Sequence, residues 1–468
     1  MPPVTLSPPQ RDFLEALARL LPNDRVTTRP ETLAGLSHDK AEILEPGTPL
    51  AAVFPITANE VAEVLRLASA HRVPVVPRGA GSGLAGGANA VDGCVVLSLT
   101  RMDQILEIDT SDLVAVVQPG VMNARLAAEI ARHGLMFAPD PSSFDISSIG
   151  GNLATNAGGL RCVKYGVTRE ATLGIEVALP DGSLLRTGRR TVKGVTGYDL
   201  VGLFVGSEGT LGVITEATLR LRPAPLAPGT LLAMFATLAD AAVAVADMSR
   251  AGPSVLELMD QTTLRAVEAW QHLGLDFSCA AALLARSDTA DAGSAELDVV
   301  EGACRGAGAT DILRSSDAVE SEGLMDARRA ALPALERLGI TLLEDVAVPR
   351  GRVVELVGEV ERIAAAHDLV IGTFGHIGDG NLHPTLVIPR GDAAARARAI
   401  VAADEILGAT LRLGGTLTGE HGIGVLKRDR LEDEIGPVGV RVSRAVKHAL
   451  DPLGIMNPGK VLPLETEG

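Results

Sequence analysis

Phe13, Leu14, Leu17, Leu20 and Leu21 recur at helical spacing and predict a short amphipathic helix over residues 9–21. From about residue 50 the pattern alternates, reading as a strand over 51–55, a helix over 58–71 and a strand over 73–77. Short apolar runs then dominate and predict strands at 95–99, 113–118, 174–179 and 211–219. After residue 229 strands are interleaved with long Ala/Arg/Glu helices, predicted over 238–251, 317–338, 352–367 and 393–413. Such a run implies an α+β arrangement, with an antiparallel sheet under helices. Ser7-Pro8-Pro9 and the run from Arg222 to Gly229, with three prolines, are the clearest breaks; the second is read as a domain boundary.

At 468 residues the chain has the length of about three domains. A net charge of −16 with no Lys/Arg cluster argues against nucleic-acid binding, and the scarcity of aromatic residues argues against base stacking. Cys94, Cys162, Cys279 and Cys304 are scattered without a Cys-x-x-Cys pair, so no iron–sulfur or structural zinc site is evident and a reducing compartment is expected. Residues 1–9 lack the charged and apolar regions of a signal peptide, and no apolar run is long enough to span a bilayer. A cytoplasmic location without a membrane span is the expectation.

Pro77-Arg78-Gly79-Ala80-Gly81-Ser82-Gly83 opens a loop rich in exposed backbone amides, and Gly81, Gly83 and Gly86 satisfy G-x-G-x-x-G. A Rossmann fold needs a helix directly after those glycines. Residues 88–93 are turn-like instead, and the next element reads as a strand. A strand–glycine loop–strand unit can still cradle a diphosphate through a nest of N–H groups, with Arg78 beside it. Two further stretches are equally poor in bulk, Pro139 through Gly159 and Val205 through Thr215. Three such stretches imply an extended, flat ligand such as a dinucleotide.

His376 and His383 flank Asp379-Gly380, the strongest short hairpin signal. A two-residue loop there pairs the histidines directly, with Cβ atoms roughly 4.5–5.5 Å apart on one face. Both imidazoles could grip one divalent ion, although two polar residues on a wet hairpin fit the same pattern. Downstream, Thr418-Gly419-Glu420-His421-Gly422-Ile423-Gly424 supplies a carboxylate and a candidate base. Two imidazoles and a carboxylate leave open positions, as in catalytic metal sites, and suit zinc, manganese and iron alike.

The stretches PRGAGSG, SSIGGNLATNAGG and GSEGTLGVIT, in this order, resemble the FAD-binding domain of the vanillyl-alcohol-oxidase/p-cresol-methylhydroxylase flavoprotein superfamily. With GHIGDGNLH and GEHGIG added, the chain is similar to the D-2-hydroxy-acid dehydrogenase branch, which includes D-lactate dehydrogenases and the flavin subunit of glycolate oxidase. The resemblance implies an N-terminal helical segment (1–44) and a two-subdomain FAD-binding domain of the p-cresol-methylhydroxylase type (45–223). It further implies an α+β cap carrying the metal and substrate site (224–455) and a tail (456–468) returning to the FAD domain through Asn457. It places Pro77, Arg78, Gly79, Ala80, Gly81, Ser82 and Gly83 on the pyrophosphate. Ser143, Ser147, Ser148, Thr155, Asn156 and Gly158 would line the flavin, with Glu208, Gly212 and Ile214 beside the adenine–ribitol stretch. No histidine lies in the glycine loop, so FAD is expected to be noncovalent.

The same resemblance gives the metal to His376, His383 and Glu420, proton transfer to His421 and the substrate carboxylate to Arg328. The implied reaction oxidises a small D-2-hydroxy acid to the 2-oxo acid. The metal acidifies the hydroxyl, His421 removes its proton, and hydride passes to flavin N5. Relatives that take a second carboxylate tend to carry polar groups where Leu332 and Leu343 stand. D-lactate, glycolate or D-2-hydroxybutyrate is therefore expected over D-2-hydroxyglutarate. With no cluster ligands, electrons must leave to a quinone, an electron-transfer flavoprotein, a cytochrome, oxygen or a partner subunit. The alternatives are a subunit of a multi-subunit glycolate oxidase, a D-2-hydroxyglutarate dehydrogenase and the ether-forming synthase of glycerolipid biosynthesis. The histidine hairpin with GEHGIG fits the dehydrogenases better than the synthase. Oligomeric state is open, a homodimer included.

Overall fold

The computed structural model of the chain describes residues 7–225, 229–272, 279–289 and 294–463. Residues 1–6 of the N-terminal segment, 226–228 of the proline-rich break and 464–468 of the tail lie outside the described residues. Among the described residues three sheets follow one another along the chain. In the first, Val26–Thr27, Ala51–Val53, Val95–Ser98 and Val75–Arg78 lie side by side, the last three strands parallel. Their valines and alanines are buried on both faces, as parallel strands require. The Ala58–His71 helix packs on this sheet through Val61, Val64, Leu65 and Ala68. It starts where Thr57 Oγ1 accepts the Glu60 amide at 3.2 Å and ends at left-handed Arg72. No helix separates Val75–Arg78 from Val95–Ser98, so the glycine stretch is a loop between strands, as its sequence predicts.

The second sheet is antiparallel, with the long Val213–Pro223 strand at its centre between Val114–Val117 and Thr172–Ala178. The third is antiparallel and eight-stranded, built from residues 229–388. Its strands alternate inward residues: Leu231 and Leu258 join one core, Leu232 and Met259 the other. Helices cover both faces. Leu238–Ala251, Val353–His367 and Ala393–Arg412 pack on one, and Gln261–Gln271, Ala318–Arg329 and Ala331–Glu336 on the other.

Two predicted elements differ. The single helix expected over 317–338 is broken at Ala330 into Ala318–Arg329 and Ala331–Glu336. Pro333 has no N–H to offer the Arg329 carbonyl, and its ring crowds that turn. The kink leaves Arg328, Arg329 and Leu332 on the wall of one cavity. The Leu431–Leu450 helix, absent from the predicted elements, is bent at Gly436-Pro437. No helix among the described residues is long and apolar enough to cross a membrane.

Candidate active site

The histidine hairpin consists of the strands Val370–His376 and Asn381–Ile388. Its loop is not the two-residue turn expected from Asp379-Gly380. Ile377 is fully buried and opens a 3₁₀ turn over Ile377–Asp379, with Gly380 left-handed at φ +86°. The register therefore pairs His376 with Asn381 and Phe374 with His383, correcting the expected direct His376–His383 pair. The offset is two residues, so alternation keeps both imidazoles on one face as diagonal neighbours. Their rings meet edge to face, centroids 5.3 Å apart.

Each histidine has a carboxylate opposite it, Glu257 on a strand and Asp345 in the gap between Ile340–Leu343 and Val346–Ala347. Leu258 pairs with Gly375 and Met259 with Phe374, a register that sets Glu257 opposite His376. Glu257 Oε1 lies 2.7 Å from His376 Nδ1. On the other side Leu343 pairs with Thr385 and Val346 with Leu382, which sets Asp345 opposite His383. Asp345 Oδ1 is 3.5 Å from His383 Nδ1. Neither carboxylate was found by sequence reasoning. Glu257 did leave a signal, an acid within the apolar run Val255-Leu256-Glu257-Leu258-Met259.

Glu420 and His421 lie in a turn rather than on a strand, which lets adjacent side chains face the same way. Asp345 Oδ2 fixes that turn by accepting the Glu420 and His421 amides, both at 2.8 Å, and the Thr418 hydroxyl at 2.7 Å. Three imidazole Nε2 atoms then converge on Glu420 Oε1, from His376 at 2.9 Å, His383 at 3.4 Å and His421 at 3.7 Å. The His383 and His421 rings stack at 5.0 Å.

Burial works against charge here, and the neighbours decide the outcome. Burial opposes a proton on His376, but Glu257 and Glu420 outweigh it and hold its pKa well above the ordinary value. Burial would raise Glu420, yet His376 and His383 keep it well below the usual carboxylate range. His383 is pushed down to about 4 by burial and by His421. Asp345 lies below its ordinary value because His421, Lys427 and His383 outweigh its burial. Three Nε2 atoms and one carboxylate oxygen aimed at a common point would form a donor set for a divalent cation that displaces the His376 proton. Asp345, His383, Glu420 and His421 offer ligand atoms all within 4.8 Å of one another.

Arg328 is 1% exposed and stands at the same end of the cavity. Its Nε is 2.7 Å from Glu257 Oε2, a close ion pair misaligned as a hydrogen bond, while Nη2 has no protein partner. The guanidinium lies 4.8 Å from the Phe374 ring centroid.

One cavity of about 370 Å³ runs from the glycine loop to His383, Glu420 and His421. Its wall includes every residue from Pro77 to Gly83, together with Ser143, Thr155, Glu208, Gly212 and Ile214. Gly81 has φ +77°, and a Cβ there would stand 2.0 Å from Arg78 Nη2. Arg78 is buried with Nη1 unpartnered, which suits an anionic diphosphate. The cradle therefore fits FAD. Other residues expected on the cofactor also have protein partners. Ser147 Oγ accepts from Asn123 at 2.8 Å, and Ser148 Oγ caps the Ile149–Thr155 helix through the Gly151 amide at 3.3 Å. Asn156 Oδ1 accepts the Arg169 amide at 2.9 Å. Asn457 ties the tail back by donating to the Gly87 and Glu208 carbonyls, both at 2.8 Å. Gly158 backs Glu420, since a Cβ there would meet Glu420 Oε2 at 2.3 Å. Glu208 joins the glycine-loop side to the GEHGIG turn by accepting the Ile423 amide at 2.7 Å and the Gly424 amide at 3.0 Å.

Residues 49–188 match the FAD binding domain family, and residues 225–461 match the C-terminal domain of FAD linked oxidases. The chain belongs to the FAD-linked oxidase family. This FAD-linked oxidase is 43% identical over 417 residues to a Bacillus subtilis protein named glycolate oxidase subunit GlcD, covering 88% of this chain and 89% of that one. It is 35% identical over 465 residues to a protein of Anaerostipes hadrus named D-lactate dehydrogenase, covering 96% and 97%. Its fold is similar to that of p-cresol methylhydroxylase with substrate bound, with TM-score 0.82, 19% identity and 99% of each chain covered. The oxidase thus has the p-cresol-methylhydroxylase type of FAD-binding fold with an α+β second part, and it is an FAD-dependent oxidoreductase.

Proposed function

We propose that the protein oxidises a small D-2-hydroxy acid of the D-lactate or glycolate type to its 2-oxo acid, assisted by a divalent metal. The observation that carries this reading is the convergence of three imidazole nitrogens on Glu420 at the inner end of the FAD cavity. His376, His383 and Glu420 would hold the metal, which supplies Lewis acidity toward the substrate hydroxyl. FAD, held noncovalently, supplies the acceptor for the hydride on the substrate Cα.

The chain's own groups do the rest. His421 lines the cavity with its backbone fixed by Asp345, placed to take the hydroxyl proton. Arg328 lines the cavity with Nη2 lacking a hydrogen bond, and would supply the cation for the substrate carboxylate. The substrate thus loses one proton and one hydride, and the two electrons pass on to an external acceptor. That acceptor is a quinone, an electron-transfer flavoprotein, a cytochrome or a partner subunit, the last supported by likeness to a protein named a subunit.

Leu332, Leu343 and Phe374 give the cavity an apolar side near Arg328. Arg329, the neighbouring cation of that wall, is matched by Glu322 at 2.7 Å and Asp326 at 2.8 Å. A second carboxylate on the substrate would find Arg329 already paired, which supports an apolar or absent tail. The test is the visible spectrum of the metal-replete, FAD-loaded protein under anaerobic addition of D-lactate, L-lactate, glycolate and D-2-hydroxyglutarate. Bleaching by D-lactate or glycolate, abolished by a chelator, is the expected result. Bleaching by D-2-hydroxyglutarate alone, or bleaching indifferent to chelator, would overturn the substrate or the metal assignment respectively.

A further inference from the structure

Glu257 carries an oxygen to each half of the site. It is 1% exposed and sits on the central Val255–Asp260 strand of the eight-stranded sheet. One oxygen lies 2.7 Å from His376 Nδ1 and the other 2.7 Å from Arg328 Nε. A carboxylate on Nδ1 fixes the ring orientation and turns Nε2 toward Glu420, 2.9 Å away, the edge that would meet a metal once that nitrogen gives up its proton. The same carboxylate holds the Nε edge of Arg328 as an ion pair at 2.7 Å, while the buried Nη2 has no hydrogen-bond partner. Two oxygens of one rigid group thereby set the distance between a ligand imidazole and the guanidinium meant for the substrate.

We propose that Glu257 is a positioning residue that aligns His376 toward the metal and Arg328 toward the substrate carboxylate as a single unit. This rests on reading His376 as a metal ligand and Arg328 as the substrate's cation. The alternative is a buried ion pair that serves only to neutralise Arg328 within the fold. The two differ in what happens when both charges are removed together. Replacing a buried pair by apolar groups of similar volume is commonly neutral or stabilising for the fold. A purely neutralising role then leaves the metal site intact, whereas an aligning role does not.

The experiment titrates Mn²⁺ calorimetrically into chelator-treated, FAD-loaded protein, with flavin absorbance and thermal midpoint as checks of folding. In the Glu257→Leu/Arg328→Met protein, Mn²⁺ affinity falls about 10- to 100-fold, the loss typical of removing the group that orients a ligand histidine. In Glu257→Gln/Arg328→Met, which keeps an acceptor for Nδ1–H at the same charge, most of that affinity returns. With Arg328 retained and Mn²⁺ saturating, Glu257→Gln raises KM for the 2-hydroxy acid tenfold or more and changes kcat less than KM. Both double variants binding Mn²⁺ within threefold of the unsubstituted protein would sink the aligning role while leaving the functional reading intact. No Mn²⁺ uptake by the unsubstituted protein would instead fail the metal reading itself and this inference with it.

Discussion

At the residue scale, charge in the buried end of the cavity is balanced group against group. His376 faces Glu257 and Glu420, His383 faces Asp345 and Glu420, and Lys427 faces Glu344 at 3.1 Å. Within this set His421 is the most accessible imidazole, its side chain 22% exposed against 4% for His376 and His383. Accessibility separates a group that meets substrate from groups that hold an ion. His421→Asn is therefore expected to lower turnover by about a hundred- to ten-thousandfold, the usual worth of a positioned base. Metal content by elemental analysis and the bound flavin spectrum stay unchanged. Loss of the metal along with activity would make His421 a ligand instead. The residues His376, His383, Glu420 and His421 were legible because each lies in a short contiguous motif. Their carboxylate partners were not, because Glu257 and Asp345 reach them only across strand pairings.

At the scale of elements, the histidine hairpin shows how a turn sets a site. Asp379-Gly380 marked the turn correctly, but burial of Ile377 lengthened the loop and moved the register by two residues. A shift by one would have turned one imidazole to the opposite face and dissolved the cluster. Gly380 fixes this geometry. At φ +86° a side chain is strained, and a Cβ would stand 2.1 Å from the Val348 carbonyl oxygen. Gly380→Ala is expected to destabilise the protein by more than about 1 kcal/mol in urea unfolding. It should also weaken Mn²⁺ binding; an unchanged midpoint would mean that the turn relaxes without strain. The break at Ala330 is a second case, and Pro333 makes it readable in principle from the sequence.

At the scale of the whole molecule, Glu208 links the glycine-loop side to the GEHGIG turn through two amides. Burial raises its pKa from 4.5 to about 7, against the pull of those amides. A carboxyl whose folded pKa is raised binds its proton more tightly in the folded state, so stability falls as pH rises from 4.5 to 7. The full effect is about 3 kcal/mol. Glu208→Gln should flatten that slope when unfolding free energies are compared at pH 5 and pH 8. An equal slope in both proteins would show that Glu208 titrates normally. The sequence by itself determined the glycine loop between strands, the histidine hairpin, the GEHGIG turn and the FAD-linked family. Each is written in contiguous residues whose backbone needs are local. The tertiary structure alone decided the partners Glu257 and Asp345, 119 residues from His376 and 75 from Glu420. It also gave Ser147, Ser148 and Asn156 their hydrogen-bond partners within the protein and tied the tail back through Asn457. Those outcomes follow from which strands lie side by side and which polar atoms must be satisfied when buried, and no local period encodes either.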